Sequence, residues 1–495
     1  MRFRIISAAE AASFVKNGNV VGIGGFSSVG TPKAVPAAIA ELAEAEHKKG
    51  NEYKIGLITG GSTGDQIDGM LSRAKAVAFR TPFQSHKDMR NAINACEVNY
   101  FDLHLSHVAQ DVRYNFLGKI DVAIIEAAAI TDEGEIVLTT SVGITPTIAA
   151  KADKIIIELN TSHPAKIRGM HDLYEPVNPP YRREIPIYTP QDRIGSALLK
   201  VDSSKVVGVV ETDLHDNIAE FTPVDAVTSK IGDNVASFLI AEHKNGIIPK
   251  EFLPLQSGVG NIANAVLGSL GQCSDIPSFS MFTEVIQNSV IDLMKSGRIS
   301  FASGSSLTLS ESKLAEVYAD YDFFKDKLML RPQEITNNPE LVRRLGVIAI
   351  NTALEVDIFG NVNSTNVLGS KMMNGIGGSA DFARNSFLSI FTCPSVAKKG
   401  VISAIVPMAS HVDSSEHSVK VIVTEQGVAD LRGKSPIQRA QTIIENCAHP
   451  DYKNILWDYL KLSQDNSHTP MSLRNALKMH LAFAETGDMR NVEWS

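Results

Sequence analysis

The sequence predicts an α/β fold: two tandem open α/β domains with largely parallel sheets. Three observations point there. Short runs rich in Val, Ile and Leu alternate with longer amphipathic runs, the rhythm of strand and helix in an open sheet. Several of the short runs are apolar at every position, as strands covered on both faces are. The second half of the chain then repeats the pattern of the first.

The first strand-like run is Val20-Val21-Gly22-Ile23, and a helical pattern over residues 32–46 follows it. Residues 54–59 form the next strand and end in the loop Gly60-Gly61-Ser62-Thr63-Gly64. Residues 121–126 and 154–159 are apolar runs of strand length bounded by charged residues. In the second half, residues 299–302, 347–351, 402–407 and 419–424 read as strands, and residues 284–295 as a helix or the approach to one. The segment from Ala123, AIIEAAAITDEGEI, lies without a gap on the segment from Ala349, AINTALEVDIFGNV, and brings Gly134 onto Gly360. Downstream, the run at Lys154 echoes the one at Ile402. This suggests duplication, with a join near residues 220–235 and domains at 1–228 and 229–495.

A chain of 495 residues exceeds what one core ordinarily holds, which also favours two or three domains. Aromatics are 6% of the chain and glycine is frequent at 35 residues, a balance suited to buried parallel strands. The 47 basic and 55 acidic residues give a formal charge of -8 with no Lys/Arg run, which argues against nucleic acid as a partner. Cys96, Cys273, Cys393 and Cys447 form no CxxC pair, so neither a disulfide framework nor a cysteine zinc site is expected. No signal-peptide core follows Met1, and no run of about 18 apolar residues occurs. The expected location is the cytoplasm, with no membrane partner.

Five segments could carry chemistry. Gly24-Gly25-Phe26-Ser27-Ser28-Val29-Gly30-Thr31-Pro32 follows a strand and opens a helix, so it reads as an anion or ligand cradle or as a plain tight turn. It is neither a dinucleotide fingerprint nor a P-loop. Ser257-Gly258-Val259-Gly260-Asn261-Ile262-Ala263 is a second glycine turn ahead of an Ala-rich helix, whose N–H groups could face a phosphate or a pantetheine amide. Glu284 is the one acid in the apolar and neutral stretch 280–287, and by itself it reads more readily as a solvated helix-start residue or an ordinary ion pair than as a catalytic group. Asn374-Gly375-Ile376-Gly377-Gly378 is the densest glycine cluster of the second half; Asp381 and Arg384 follow it, and its N–H groups could form an oxyanion hole. Glu425 stands at a strand end before Gly427. His411, Asp413, Glu416 and His417 have no recognised metal-ligand spacing and read as a solvated loop, so no metal is expected.

Taken in order, GGFSSVGTP, SGVGNIANAV, MFTEVIQNSVIDLM, GRISFASGSSL, LRPQEITNNPE, INTALEVDIFGNVNST, NGIGGSADFARN and VIVTEQGVADLRG resemble the acetyl-CoA hydrolase/transferase family of class I CoA-transferases, over almost the whole chain. The branch it resembles most is the bacterial succinyl-CoA:acetate CoA-transferases. The resemblance implies two CoA-transferase-like domains, the second carrying a catalytic glutamate. It implies CoA transfer between short-chain acids, succinyl-CoA and acetate giving acetyl-CoA and succinate. Glu284 would pass through an acyl-glutamyl anhydride and a glutamyl-CoA thioester. The backbone N–H of Gly378 would stabilise the oxyanion, with Asn337 and Glu425 orienting the nucleophile or the acyl group. Val259, Gly260, Asn261, Ile262, Ala263, Leu354, Asn374, Gly378 and Lys398 would line the CoA site. No permanent cofactor is implied; coenzyme A is substrate and covalent intermediate, the partners are acyl-CoA and small carboxylates, and a homodimer is the family expectation. Two readings stay open beside it, an acetyl-CoA hydrolase and a propionyl-CoA:succinate CoA-transferase. The relatives' Ser-Glu-Asn-Gly motif is Thr283-Glu284-Val285-Ile286 here, and residues 211–217 hold no Arg to take a dicarboxylate's second carboxylate.

Overall fold

The computed structural model describes residues 3–218, 223–463 and 467–495, so residues 219–222 of the expected join lie outside the described residues. Two compact units are present: Met1–Glu220 with Ser280–Leu345 and Asn374–Asp381, and Phe221–Phe279 with Gly346–Met373 and Phe382–Ser495. The units interleave along the chain, and the division into 1–228 and 229–495 stands as a proposal about the ancestry of the two halves.

Among the described residues before 220, the first unit holds nine strands: β1 (Val20–Ile23), β2 (Ile55–Thr59), β3 (Val77–Thr81), β4 (Asn99–Tyr100), β5 (Val122–Ala127), β6 (Ala129–Ile130), β7 (Ile136–Val137), β8 (Lys154–Asn160) and β9 (Val206–Thr212). Seven form one sheet in the order β4-β3-β2-β1-β5-β8-β9, every pair parallel. Helices that cover such a sheet remove the polar face of each strand, which is why Val21, Ile23, Ile55, Leu57, Val122, Ile124 and Ile156 are all buried. β6 and β7 make a separate antiparallel hairpin.

The order reverses between β1 and β5, the switch point where open sheets usually bind ligands. Here the protein fills that crevice itself. Lys33 Nζ lies 2.5 Å from Glu126 Oε1 and 2.8 Å from Asp216 Oδ1, with all three side chains buried. Burial works against the Lys33 ammonium, but the two carboxylates outweigh it and raise its pKa. Glu158, fully buried at the adjacent strand, accepts from the backbone N–H groups of Lys33 (2.6 Å), Ala34 (3.0 Å) and Val35 (3.0 Å). The start of the helix Ala34–Lys48 is therefore capped by an internal carboxylate. The helix start that follows residues 24–32 thus already holds an internal anion, Glu158.

In the second unit the strands Leu255–Ser257, Ile348–Thr352, Leu388–Thr392 and Val421–Thr424 run parallel in that order, and Gly427–Asp430 closes the edge antiparallel. Its core includes Phe391, Ile422, Ile443, Tyr452 and Leu456. The internal echo has a structural counterpart. β5 lies between β1 and β8, as Ile348–Thr352 lies between Leu255–Ser257 and Leu388–Thr392. Each leads into a two-stranded hairpin, β6–β7 in one unit and Glu355–Asp357 with Val362–Asn363 in the other. Gly134 N donates to Thr131 O and Gly360 N to Asp357 O, both at 3.0 Å, with φ of 85° and 98°.

Two element expectations are corrected. Residues 402–407 are not one strand: Ile402–Ser403 pairs with Val396–Ala397 and Ile405–Val406 with Glu355–Asp357. The sheet counterpart of β8 is Leu388–Thr392. Residues 284–295 begin as a strand, Val285–Gln287, because β-branched Val285 and Ile286 pair in register with Ser306 and Leu307; the helix Asn288–Lys295 starts only afterwards. Among the described residues no helix is long and apolar enough to cross a membrane.

Replacing Glu158 with Leu strands three buried N–H donors and leaves the Lys33 region without its cap. We expect a loss of about 3–5 kcal/mol in the stability of the first unit. A clear fall in the thermal unfolding midpoint checks this, with Glu158→Gln falling less because it keeps one acceptor oxygen.

Candidate active site

Glu284 sits between the strands Phe279–Phe282 and Val285–Gln287, where the chain must leave one pairing and enter the next. Its carbonyl accepts from Ser305 N (2.7 Å) and Ser306 N (3.2 Å), and the flanking Thr283 N donates to Ser303 O (2.9 Å). The backbone on both sides of Glu284 is thus held by the 303–306 strand turn, and the side chain projects from a fixed point.

That side chain meets two of the other expected residues. Asn337, the C-cap of the short helix Gln333–Thr336, donates from Nδ2 to Glu284 Oε1 in a short hydrogen bond. Gly378, just ahead of the helix Ser379–Asn385, packs so closely that a Cβ there would land on the Glu284 carboxylate and against Asn337 Nδ2. The glycine is required by space and not by backbone conformation. The loop that carries it is anchored throughout. Tyr100 Oη donates to Asn374 O (2.5 Å), Ile376 N donates to Asp102 Oδ2 (2.7 Å), and Leu105 N donates to Gly377 O (3.3 Å). Gly375, at φ 151°, leaves room for Tyr100 Oη. Phe83 packs on Gly375 and Gly377, and its carbonyl accepts from the buried Arg80 guanidinium (2.8 Å), which also forms a two-point pair with Asp68.

Glu284 keeps a partial opening at its surface, while protein atoms crowd its carboxylate. Burial pushes its pKa up to about 7; the Asn337 hydrogen bond pulls it down, and the nearby Asp381 carboxylate pushes it further up. Asp381 and Ser106 had no role in the sequence reading. Asp381 accepts from Ser106 N (3.0 Å) and Ser106 Oγ (2.6 Å) and stands 3.5 Å from Asn337 Nδ2. Its only signal in the sequence is position, three residues after Gly378. A carboxylate of raised basicity beside a close-packed glycine and an amide donor can act as a nucleophile toward a carbonyl carbon, with backbone N–H groups near the developing oxyanion.

The remaining expected residues lie in the second unit. Gly260, at φ 113°, caps the helix Asn261–Gln272 in a conformation that favours glycine, and Val259 beside it is exposed. This turn presents the N-terminus of a twelve-residue helix, with Asn261, Ile262 and Ala263 in its first turn. Leu354 is exposed next to the Glu355–Asp357 strand. Lys398 and Lys399 are both left-handed, at φ 48° and 59°, and Lys398 Nζ stands 5.1 Å above the Phe483 ring. Glu425 accepts from Ser395 N (2.8 Å) and Ser395 Oγ. Burial acts to raise its pKa, but these bonds and one from Gln426 lower it overall. His411 pairs with Asp413 at 3.2 Å and His417 with Glu416 at 3.7 Å. Among the described residues the one group with metal-ligand spacing is Asp65, His86 and Asp88, and Arg73 Nη1 bridges its two carboxylates at 2.6 and 2.7 Å.

The N-terminal domain model of the acetyl-CoA hydrolase/transferase family matches residues 2–211 and its C-terminal domain model matches residues 314–460. The chain is 50% identical over 489 residues to the succinyl-CoA:acetate CoA-transferase of Clostridium kluyveri, covering 98% of this chain and 90% of that protein. It is 49% identical over 484 residues to the propanoyl-CoA:succinate CoA transferase of Escherichia coli, covering 98% of each. It is 42% identical over 506 residues to the acetyl-CoA hydrolase of Schizosaccharomyces pombe, covering 99% of this chain and 96% of that protein. RipA from Yersinia pestis shares the fold, with a TM-score of 0.70 at 22% identity over 93% of this chain and 97% of that one. The chain belongs to the acetyl-CoA hydrolase/transferase family.

Two expectations follow from the geometry. Gly378→Ala forces a methyl group onto the Glu284 carboxylate and destabilises the fold by about 1–3 kcal/mol. In a Glu284→Ala background that penalty shrinks, a non-additivity that thermal unfolding of the two single variants and the double variant reads directly. For Glu284 itself, the folded pKa of about 7 exceeds the ordinary value of 4.5. Its neutral form therefore favours the fold fully below pH 4.5, and that stability is lost as pH rises through 7. Glu284→Gln should match the parent near pH 4.5 and exceed it by about 3 kcal/mol at pH 8, where the parent holds a buried charge.

Proposed function

We propose that this enzyme is a CoA-transferase that moves CoA from succinyl-CoA to acetate, with Glu284 as the nucleophile. The observation that carries the reading is the Glu284 carboxylate seated between Gly378 and the Asn337 amide, in a chain that matches a succinyl-CoA:acetate CoA-transferase over nearly its whole length.

In this mechanism a Glu284 oxygen attacks the thioester carbonyl, and the tetrahedral oxyanion is met by the Gly378 N–H. The C–S bond breaks, giving an acyl-glutamyl anhydride and CoA thiolate. The thiolate then attacks the glutamyl carbonyl; succinate leaves, and a glutamyl-CoA thioester remains. Acetate attacks that thioester, and the same steps in reverse release acetyl-CoA and restore Glu284. The anhydride conserves the thioester's free energy, and retention of CoA makes its recapture effectively unimolecular. Asn337 holds Glu284 in place and Glu425 assists in orienting the acyl group. Val259, Gly260, Asn261, Ile262 and Ala263 line the CoA site with Leu354, Asn374 and Lys398. The helix N-terminus after Gly260 and the Lys398 ammonium suit the anionic and amide groups of CoA. No resident cofactor or metal takes part. A cytoplasmic homodimer completes the proposal.

A second reading is favoured by the 42% identity to an acetyl-CoA hydrolase: water in place of acetate would cleave the same intermediate. Transfer between propionyl-CoA and succinate is supported by the 49% relative. The test is to mix the protein with succinyl-CoA without acceptor and map adducts by peptide mass. A CoA-sized adduct on the Glu284 peptide, lost in Glu284→Ala, is expected. Absence of that adduct from the parent, or its survival in the variant, would sink the covalent mechanism. Acetate, propionate, succinate and water offered in parallel then identify the acceptor by the rate of product formation.

A further inference from the structure

Resting on the nucleophile reading of Glu284, we propose that Asp381 is a positioning residue that keeps the Asn337 amide turned toward Glu284 and sets a second carboxylate on the far side of that amide.

The Asn337 amide sits between two carboxylates. One Nδ2 hydrogen goes to Glu284 Oε1, and the other faces Asp381 Oδ2 at 3.5 Å. At that length the second contact is chiefly electrostatic. The amide oxygen accepts from Thr336 Oγ1 at 2.8 Å. Thr336 does not by itself fix the amide, because a hydroxyl can donate or accept. The two carboxylates do fix it: turning the amide over would set Oδ1 against both. With Glu284 alone, a protonated Glu284 could donate to a turned amide, and the nucleophile would be masked. Asp381 removes that alternative.

Asp381 is itself immobile. Ser106 N and Ser106 Oγ grip both of its oxygens, and Ser106 lies in the first turn of the helix Leu105–Arg113, whose positive end favours a carboxylate. His104 Nδ1 is 3.7 Å from Asp381 Oδ1, and His107, in the helix, acts to lower the Asp381 pKa. From the other elements, Glu284 and Asn337 face it. Burial raises the pKa of Asp381 to about 6, while the two Ser106 bonds, His107 and the Asn337 amide pull it down. Its charge opposes ionisation of Glu284, and a carboxylate of higher basicity is the stronger nucleophile. The arrangement is nucleophile, orienting amide and buried acid, each fixing the next.

The competing explanation is a helix cap with no further role. Asp381→Asn separates the two, since an amide keeps an acceptor for Ser106 N and a donor for Ser106 Oγ but removes the charge. We expect Asp381→Asn to unfold within a few degrees of the parent. Its kcat/KM for CoA transfer should fall on the order of tenfold, and the acid limb of its pH profile should move to lower pH. Ser106→Ala keeps the charge and should leave the limb in place. A readout independent of turnover is the gain in unfolding midpoint given by Glu284→Gln at pH 8, which should be smaller in the Asp381→Asn background. An unmoved acid limb together with an unchanged Glu284→Gln gain overturns the role of Asp381. If the parent forms the Glu284 adduct in that case, the nucleophile reading stands without it. If the parent forms no adduct, the midpoint comparison still decides whether Asp381 acts on Glu284, while the nucleophile reading falls.

Discussion

The carboxylate of Glu284 occupies the space that a side chain at position 378 would need, and much of the first unit is arranged around that contact. A close approach of this kind tolerates little displacement on either side. Glu284 is fixed because its carbonyl is bonded by Ser305 and Ser306. Gly378 is fixed because its loop is tied to Tyr100, Asp102 and Leu105 and rests on Phe83, which Arg80 holds by its carbonyl. Arg80 is itself saturated by Asp68 and by the carbonyls of Thr81 and Gly61. A buried guanidinium with a full set of acceptors is a rigid support. The path from Asp68 through Arg80 to the Phe83 carbonyl is polar, and the Phe83 ring extends it to Gly375 and Gly377 by packing.

The same unit shows why a fold-level rule for locating sites needs the residues as well. The switch point between β1 and β5 has the glycine loop and helix start that elsewhere receive phosphate. In this chain Glu158 takes the helix N-terminus, and Lys33, Glu126 and Asp216 fill the crevice beside it. Such a network is strongly destabilised when one member is lost, so it specifies the local structure more than it stabilises it. The glycines of residues 24–30 serve packing here: a Cβ on Gly30 would strike Ser141, and one on Gly25 would strike Thr31.

Strands that are apolar at every position were legible in the sequence, because burial on both faces imposes that pattern. The runs beginning at Val20, Lys154 and Ile299 appear where they were expected. The run 402–407 misled because two two-residue strands of that composition pair in separate small sheets. Residues 285–287 misled because their strand partner, Ser306–Thr308, is not evident from local periodicity. Gly378 and Asn337 reached the candidate list through motif resemblance alone; spacing carries no sign that residues 284, 337 and 378 meet. Asp381 was visible as the one acid in its glycine-rich segment, but its partner Ser106 lies 275 residues away. Glu158 is 125 residues from the amide it caps, which no local pattern reveals.

Raised basicity at Glu284 bears on the proposed cycle in a way that a solvated glutamate would not. In the anhydride two carboxylates compete to leave, the glutamyl group and the substrate acid. The less basic one departs more readily. Burial and the Asp381 carboxylate hold Glu284 above its ordinary basicity. Attack by CoA thiolate on the glutamyl carbonyl then expels the substrate acid and leaves the enzyme as a thioester. In the proposed cycle a more basic glutamate would favour the thioester state that awaits a second acid. The stability that Glu284 forgoes by ionising in a crowded site is the counterpart of that bias. Asn337 moderates it by favouring the ionised form, so the site holds Glu284 between two influences: burial, which raises its basicity, and an amide donor, which lowers it.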